Sequence, residues 1–110
     1  MRAKHLKTVL LASAMIGLGQ WSSSALAQNA AANDLYKRGL AATCANCHGT
    51  NGVAEAGHVS LAGQNAEMLL KNLLDYKEGR RPATIMHQLA KGYSDAELKA
   101  IANYFAAKKN

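Results

Sequence analysis

Apolar residues recur every three to five positions along most of the chain, and no strand-like alternation of useful length appears. Ala30 to Cys47 reads as a helix: Leu35 with Tyr36, then Leu40, then Thr43 share one face, and the alanines between them favour helix. Gly49 and Gly52 end it. His48 to Gln64 is glycine-rich and aperiodic, which predicts a loop. Asn65 is placed to cap a second helix, with Glu67 in its first turn and Leu69, Leu70, Leu73 and Leu74 at helical spacing. Gly79 suits the residue just past its end. Pro82 predicts the first turn of a short third helix, Pro82 to Leu89, with Gly92 after it. Ser94-Asp95-Ala96-Glu97 is a capping box, and Leu98, Ile101, Ala102 and Phe105 mark one face of a last helix. Lys108 and Lys109 fall where that helix presents its negative dipole end. The pattern predicts one all-α domain with two outer helices, two shorter elements between them and a long first loop.

The N-terminus follows a different rule. Arg2, Lys4 and Lys7 precede the uncharged run Val9 to Gly19, and Ala25-Leu26-Ala27 is a small-x-small cleavage pattern. This is the layout of a secretory signal peptide. The apolar run is 11 residues long, against the roughly 20 needed to span a bilayer. The expected organisation is a cleaved signal over residues 1–27 and a mature domain over residues 28–110, without stable membrane insertion of the mature chain.

Export changes the meaning of the composition. The 110 residues carry a net charge of +6 from 13 basic and 7 acidic residues. Removing residues 1–27 takes three basic residues and no acid, so the mature charge is +3. No basic cluster with interleaved aromatics remains, which argues against a nucleic-acid partner. A mature chain of 83 residues sits near the size at which a domain needs a staple. Two cysteines allow one disulfide at most, so a cofactor is the better expectation.

Cys44-Ala45-Asn46-Cys47-His48 is C-x-x-C-H, the attachment signature of c-type haem. Each thiol adds to one haem vinyl group, and two intervening residues let both sulfurs reach one edge of the ring. The adjacent histidine then sits beneath the iron as proximal ligand. Three other chemistries compete. A thioredoxin-like dithiol expects a βαβ context, which is missing from the pattern. A zinc site needs a second close pair of ligands, and His58 and His87 do not form one. A structural disulfide across two residues near a helix end is unusual.

With this motif the chain resembles the class I c-type cytochromes. The resemblance covers nearly all of the mature sequence: a helix leading into Cys44-x-x-Cys47-His48-Gly49, Asn51-Gly52, a loop, a middle helix, a Met region and a capped final helix. Ser60-Leu61-Ala62-Gly63-Gln64, Arg81 to Met86 and Ala90 to Asp95 make it most similar to the haem subunits of flavocytochrome c sulfide dehydrogenase. The resemblance implies the class I cytochrome c fold, a small helical domain wrapped around one covalently bound haem c with its iron. One position departs from the family, which usually has Pro where this chain has Val59. In such folds a carbonyl there accepts a hydrogen bond from the proximal histidine. Valine keeps that carbonyl but loses the fixed φ of proline.

Four residues are candidates for the distal ligand: Met68, Met86, His58 and His87. Met68 lies beside Leu69 and Leu70 and reads as core filling. His58 reads as an exposed loop residue. His87 follows Met86 directly, so the two side chains diverge on a helix and only one faces the iron. The family pattern selects Met86, and a thioether raises the potential relative to a second imidazole.

A six-coordinate iron leaves no open position for substrate. The implied function is therefore periplasmic single-electron transfer, with no catalytic residues in this chain. The resemblance implies a haem subunit docked on an exported flavoprotein that oxidises sulfide. A free diffusible shuttle is the alternative. A gas-binding or peroxidase-like haem protein, with an easily opened iron, is an alternative of another class, and a haem-free dithiol or metal-binding module is a third. Lys71, Lys77, Arg80, Arg81 and Lys91 suggest a basic rim, either solvated or steering acidic redox partners. Gly39 is a candidate contact of the first helix with Tyr104 or Phe105, and Tyr93 reads as a core residue.

Overall fold

The computed structural model describes residues 21–109, with side chains from residue 28. Regular structure among the described residues is entirely helical: α1 (Trp21–His48), α2 (Ala66–Lys77), α3 (Met86–Lys91) and α4 (Asp95–Ala106). The chain divides into two compact units, Met1–Asn33 and Asp34–Asn110. In the first, residues 21–33 are helical. The run Val9 to Gly19 lies outside the described residues. Among the described residues no helix is long and apolar enough to cross a membrane.

Helix α1 starts earlier than the predicted Ala30, because residues 21–38 contain neither Gly nor Pro and are rich in alanine. It enters the second unit exposed at Leu35 and Tyr36 and becomes buried at Ala41, which is 2% exposed. Ala41 joins the core cluster that holds Tyr104 and Phe105. Gly39 does not take that part. It is exposed, and a side chain there would meet nothing within 4 Å.

The core sits where α2 packs on both α3 and α4. Helix α4 supplies Leu98, Ile101, Ala102 and Phe105, as its spacing predicted, together with Tyr104. Phe105, Leu98 and Ile101 are each 1% exposed, and burying a side chain of this size contributes roughly 1.5–3 kcal/mol. Helix α2 buries Leu69 and packs Leu70, Leu73 and Leu74 at the margin. Met68 departs from the core role expected of it. It is 48% exposed, one position round the helix from Leu69 and off the buried face.

Local chemistry sets the helix ends. Asn65 accepts a hydrogen bond from the Met68 backbone N–H at 2.9 Å, capping α2. At the other end the Gly79 N–H donates to Tyr76 O and the Arg80 N–H to Asp75 O, at 3.0 and 2.8 Å. That pair is a Schellman motif, and Gly79 takes the φ of +73° it requires. Ser94 and Glu97 form the full capping box of α4. The short helix α3 begins at Met86, not at Pro82. Thr84 and Ile85 are β-branched, and Ile85 caps α3 without a side-chain hydrogen bond, so nothing local starts the helix earlier. Lys77 secures the α3–α4 connection by donating to Tyr93 O and Asp95 Oδ1, at 2.8 and 2.7 Å. Tyr93 is partly buried against the core, as expected.

Candidate haem site

Helix α1 delivers Cys44 and His48 one turn apart at its C-terminal end. The following loop must then reverse sharply, and two glycines allow it. The Gly52 N–H donates to Gly49 O at 2.8 Å, and both residues have φ near +80°. A Cβ on Gly49 would clash with Val53 O, and one on Gly52 would lie 2.7 Å from the Phe105 ring. Gly52 O in turn accepts from the Leu61 and Ala62 N–H groups at 2.7 and 3.0 Å. The Gly63 N–H donates to Phe105 O at 3.2 Å, tying the far end of the loop to α4.

This folding brings Val59 back over His48. His48 Nδ1 lies 2.6 Å from Val59 O. A carbonyl only accepts, so Nδ1 is the donor and Nε2 is the nitrogen left for a metal. A carbonyl on the second nitrogen also orients a metal-binding histidine and raises its basicity. The expected bond forms without the proline.

Cys44, His48, Val59 and Met86 line one open pocket. Its walls are mostly apolar, with Leu61, Leu69, Leu73, Ile101 and Phe105 among them. A thiol, an imidazole oriented through Nδ1 and a thioether around an apolar pocket are residues and surroundings that suit a haem. Of the four distal candidates, only Met86 lines this pocket. His58 is exposed in the loop, its ring centroid 6.4 Å from that of His48. His87 and Met68 lie outside the lining.

The competing chemistries fit less well. Burial pushes the Cys44 thiol up from its ordinary value, whereas a reactive dithiol needs it lowered. Among the described residues no three His, Cys, Asp or Glu side chains gather to hold a metal ion. Cys47, which is exposed, lies outside the pocket lining.

The family profile for cytochrome c matches residues 30–107. The chain belongs to the cytochrome c family. The family match indicates covalently bound haem c with its iron, and the C-x-x-C-H motif of Cys44, Cys47 and His48 fits it. The cytochrome is 41% identical over 73 residues to the cytochrome subunit of sulfide dehydrogenase from Chlorobaculum tepidum, covering 64% of this chain and 66% of that one. It is 39% identical to cytochrome c4 of Pseudomonas aeruginosa, covering 91% of this chain and 48% of that one. The crystal structure of cytochrome c4 from Pseudomonas stutzeri superposes with a TM-score of 0.57 at 33% identity, covering 60% of this chain and 38% of the other. The cytochrome thus spans about half to two thirds of the length of these curated relatives. The relatives are cytochromes and a dehydrogenase's cytochrome subunit.

The suggested basic rim is largely neutralised within the chain. Lys71 and Arg80 both pair with Asp75, at 2.5 and 2.7 Å, and Arg80 also pairs with Glu78. Lys77 pairs with Asp95 at 2.7 Å. The hydrogen bonds from Lys71 and Arg80 hold the Asp75 carboxyl below its ordinary range.

Proposed function

We propose that this cytochrome is an exported monohaem electron carrier. Cys44 and Cys47 hold the haem through thioethers, His48 is the proximal iron ligand and Met86 the distal one. The observation that carries this reading is the shared apolar pocket of Cys44, His48 and Met86, with His48 Nδ1 engaged by Val59 O. When bound, the haem supplies a one-electron ferric/ferrous couple. The chain's own residues do the rest. Val59 O accepts from Nδ1 and would leave Nε2 to face the iron. Leu61, Leu69, Leu73, Ile101 and Phe105 exclude water, which lowers the local dielectric and limits rearrangement as charge arrives. His48 and Met86 together would hold the iron through an imidazole and a thioether.

In this reading residues 1–27 form a signal peptide that is removed on export to the periplasm, and residues 28–110 form the haem domain. The similarity to a sulfide dehydrogenase cytochrome subunit supports a haem subunit docked on an exported flavoprotein. Similarity to cytochrome c4 over 91% of the chain supports the second reading, a free electron shuttle.

Affinity capture of the haem-loaded protein from its native periplasm separates the two. A flavoprotein in stoichiometric yield establishes the subunit. A lone red monomer establishes the shuttle. Matured protein without haem absorbance would overturn both.

A further inference from the structure

Two consecutive arginines near the pocket have opposite fates. Arg80 is committed to acids: its Nε and Nη2 both donate to Asp75 Oδ1, at 3.0 and 2.7 Å, and it also pairs with Glu78. Arg81 lines the pocket. Among the described residues no carboxylate lies within ion-pairing distance of Arg81. Its Nη1 donates to Asn72 Oδ1 at 2.9 Å, and its guanidinium carbon stands 5.3 Å from the Tyr76 ring centroid. Asn72 and Tyr76 also line the pocket. One hydrogen bond and one aromatic face hold the planar group there and leave most of its five N–H donors unused.

Arg81 is also the only Lys, Arg, Asp or Glu among the lining residues. An apolar pocket suits the porphyrin plane but not the two carboxylates that a haem carries on its propionate arms. An ionised carboxylate beside apolar walls needs a charged partner, and a planar guanidinium can meet it with two parallel hydrogen bonds. We propose that Arg81 pairs with a haem propionate at the mouth of this pocket, held ready by Asn72 and the ring of Tyr76. The inference rests on the haem reading given above. It makes Arg81 a binding residue for the haem periphery, and Asn72 and Tyr76 its positioning residues.

The pairing has an electrostatic consequence. Reduction adds one negative charge to the site, and a nearby cation favours that state. Arg81 is exposed, so solvent screens part of the effect.

The test compares wild type, Arg81→Gln and Arg81→Lys as holoproteins, by redox titration and by the propionate bending band in resonance Raman spectra. Arg81→Gln is expected to shift the equilibrium about threefold to tenfold toward the ferric form, tenfold being 59 mV for one electron, and to move the band. Arg81→Lys retains the charge, so it keeps most of the potential, but it loses the planar fork and still moves the band. A structural role for Arg81 would change thermal stability alone. Unchanged potential and band in Arg81→Gln overturn the proposal. If that variant does not accumulate, an unchanged band in Arg81→Lys does so. Wild-type protein that takes up no haem would instead refute the haem reading itself.

Discussion

His48 donates through Nδ1 to the carbonyl of Val59, 2.6 Å away and eleven residues later. The bond joins the last residue of α1 to a loop without regular structure. It depends on backbone atoms of Val59 alone, which is why valine serves here. What holds that carbonyl in place is the return of the loop at Gly52 and the two hydrogen bonds Gly52 accepts from Leu61 and Ala62.

Gly52→Ala is therefore expected to destabilise the protein by about 1–3 kcal/mol. Its φ of +80° disfavours a side chain, and the new Cβ would lie 2.7 Å from the Phe105 ring and 2.9 Å from Ala62 N. Gly57→Ala is the control: its φ is +97°, but a Cβ there meets nothing within 4 Å. Equilibrium unfolding of both variants should show the larger loss at Gly52, and equal losses would show that steric contact with Phe105 is unimportant.

Met86→Ala should leave haem attached and open the distal position. The ferric far-red band of a methionine ligand should disappear, and the ferrous protein should bind carbon monoxide at neutral pH. Survival of the far-red band would move the ligand to another residue. Carbon monoxide binding by the wild type would favour the gas-binding alternative.

The two cysteines should respond unequally. Cys44 lines the pocket and packs against the core, whereas Cys47 is exposed. Each serine variant loses one thioether, but Cys44→Ser also brings a hydroxyl to a half-buried apolar site. Holoprotein yield and melting temperature should fall in both, and further in Cys44→Ser. The reverse order would mean that burial at Cys44 contributes little.

Acid stability should depend on Asp75. Hydrogen bonds from Lys71 and Arg80 lower its pKa below the ordinary 3.8. A group depressed in the folded state stabilises it above its unfolded pKa, and that contribution is lost as the pH falls through the folded value. Wild type should therefore melt above Asp75→Asn near neutral pH, with the gap closing below about pH 4. A gap that stays constant from pH 6 to pH 2.5 would show that the ion pairs add nothing. Glu97, lowered by its bonds to Ser94, titrates in the same direction and provides a common background to both proteins.

Much of the site was legible along the chain because its signals are short-range. Cys44, Cys47 and His48 belong to one turn of helix, so their spacing alone carries the attachment chemistry. The Asn65 cap, the Gly79 terminus and the Ser94–Glu97 box each depend on atoms within about five residues. The helices they bound could be placed for the same reason. Where no local signal existed, the boundaries shifted: α3 starts at Met86 because Ile85 offers no capping side chain, and α1 runs back to Trp21 because no Gly or Pro interrupts it.

Sequence by itself determined the helical class, the caps, the buried face of α4 and the C-x-x-C-H spacing. Tertiary structure decided which side chains meet around the pocket. It turned Met68 out and Met86 in, paired Arg80 with acids while leaving Arg81 at the pocket, and set Val59 O against His48 Nδ1. Neighbours in sequence here have opposite environments, because a side chain's direction depends on packing between segments far apart in the chain. That packing is a property of α1, the returning loop, α2 and α4 together, and no short stretch of residues encodes it.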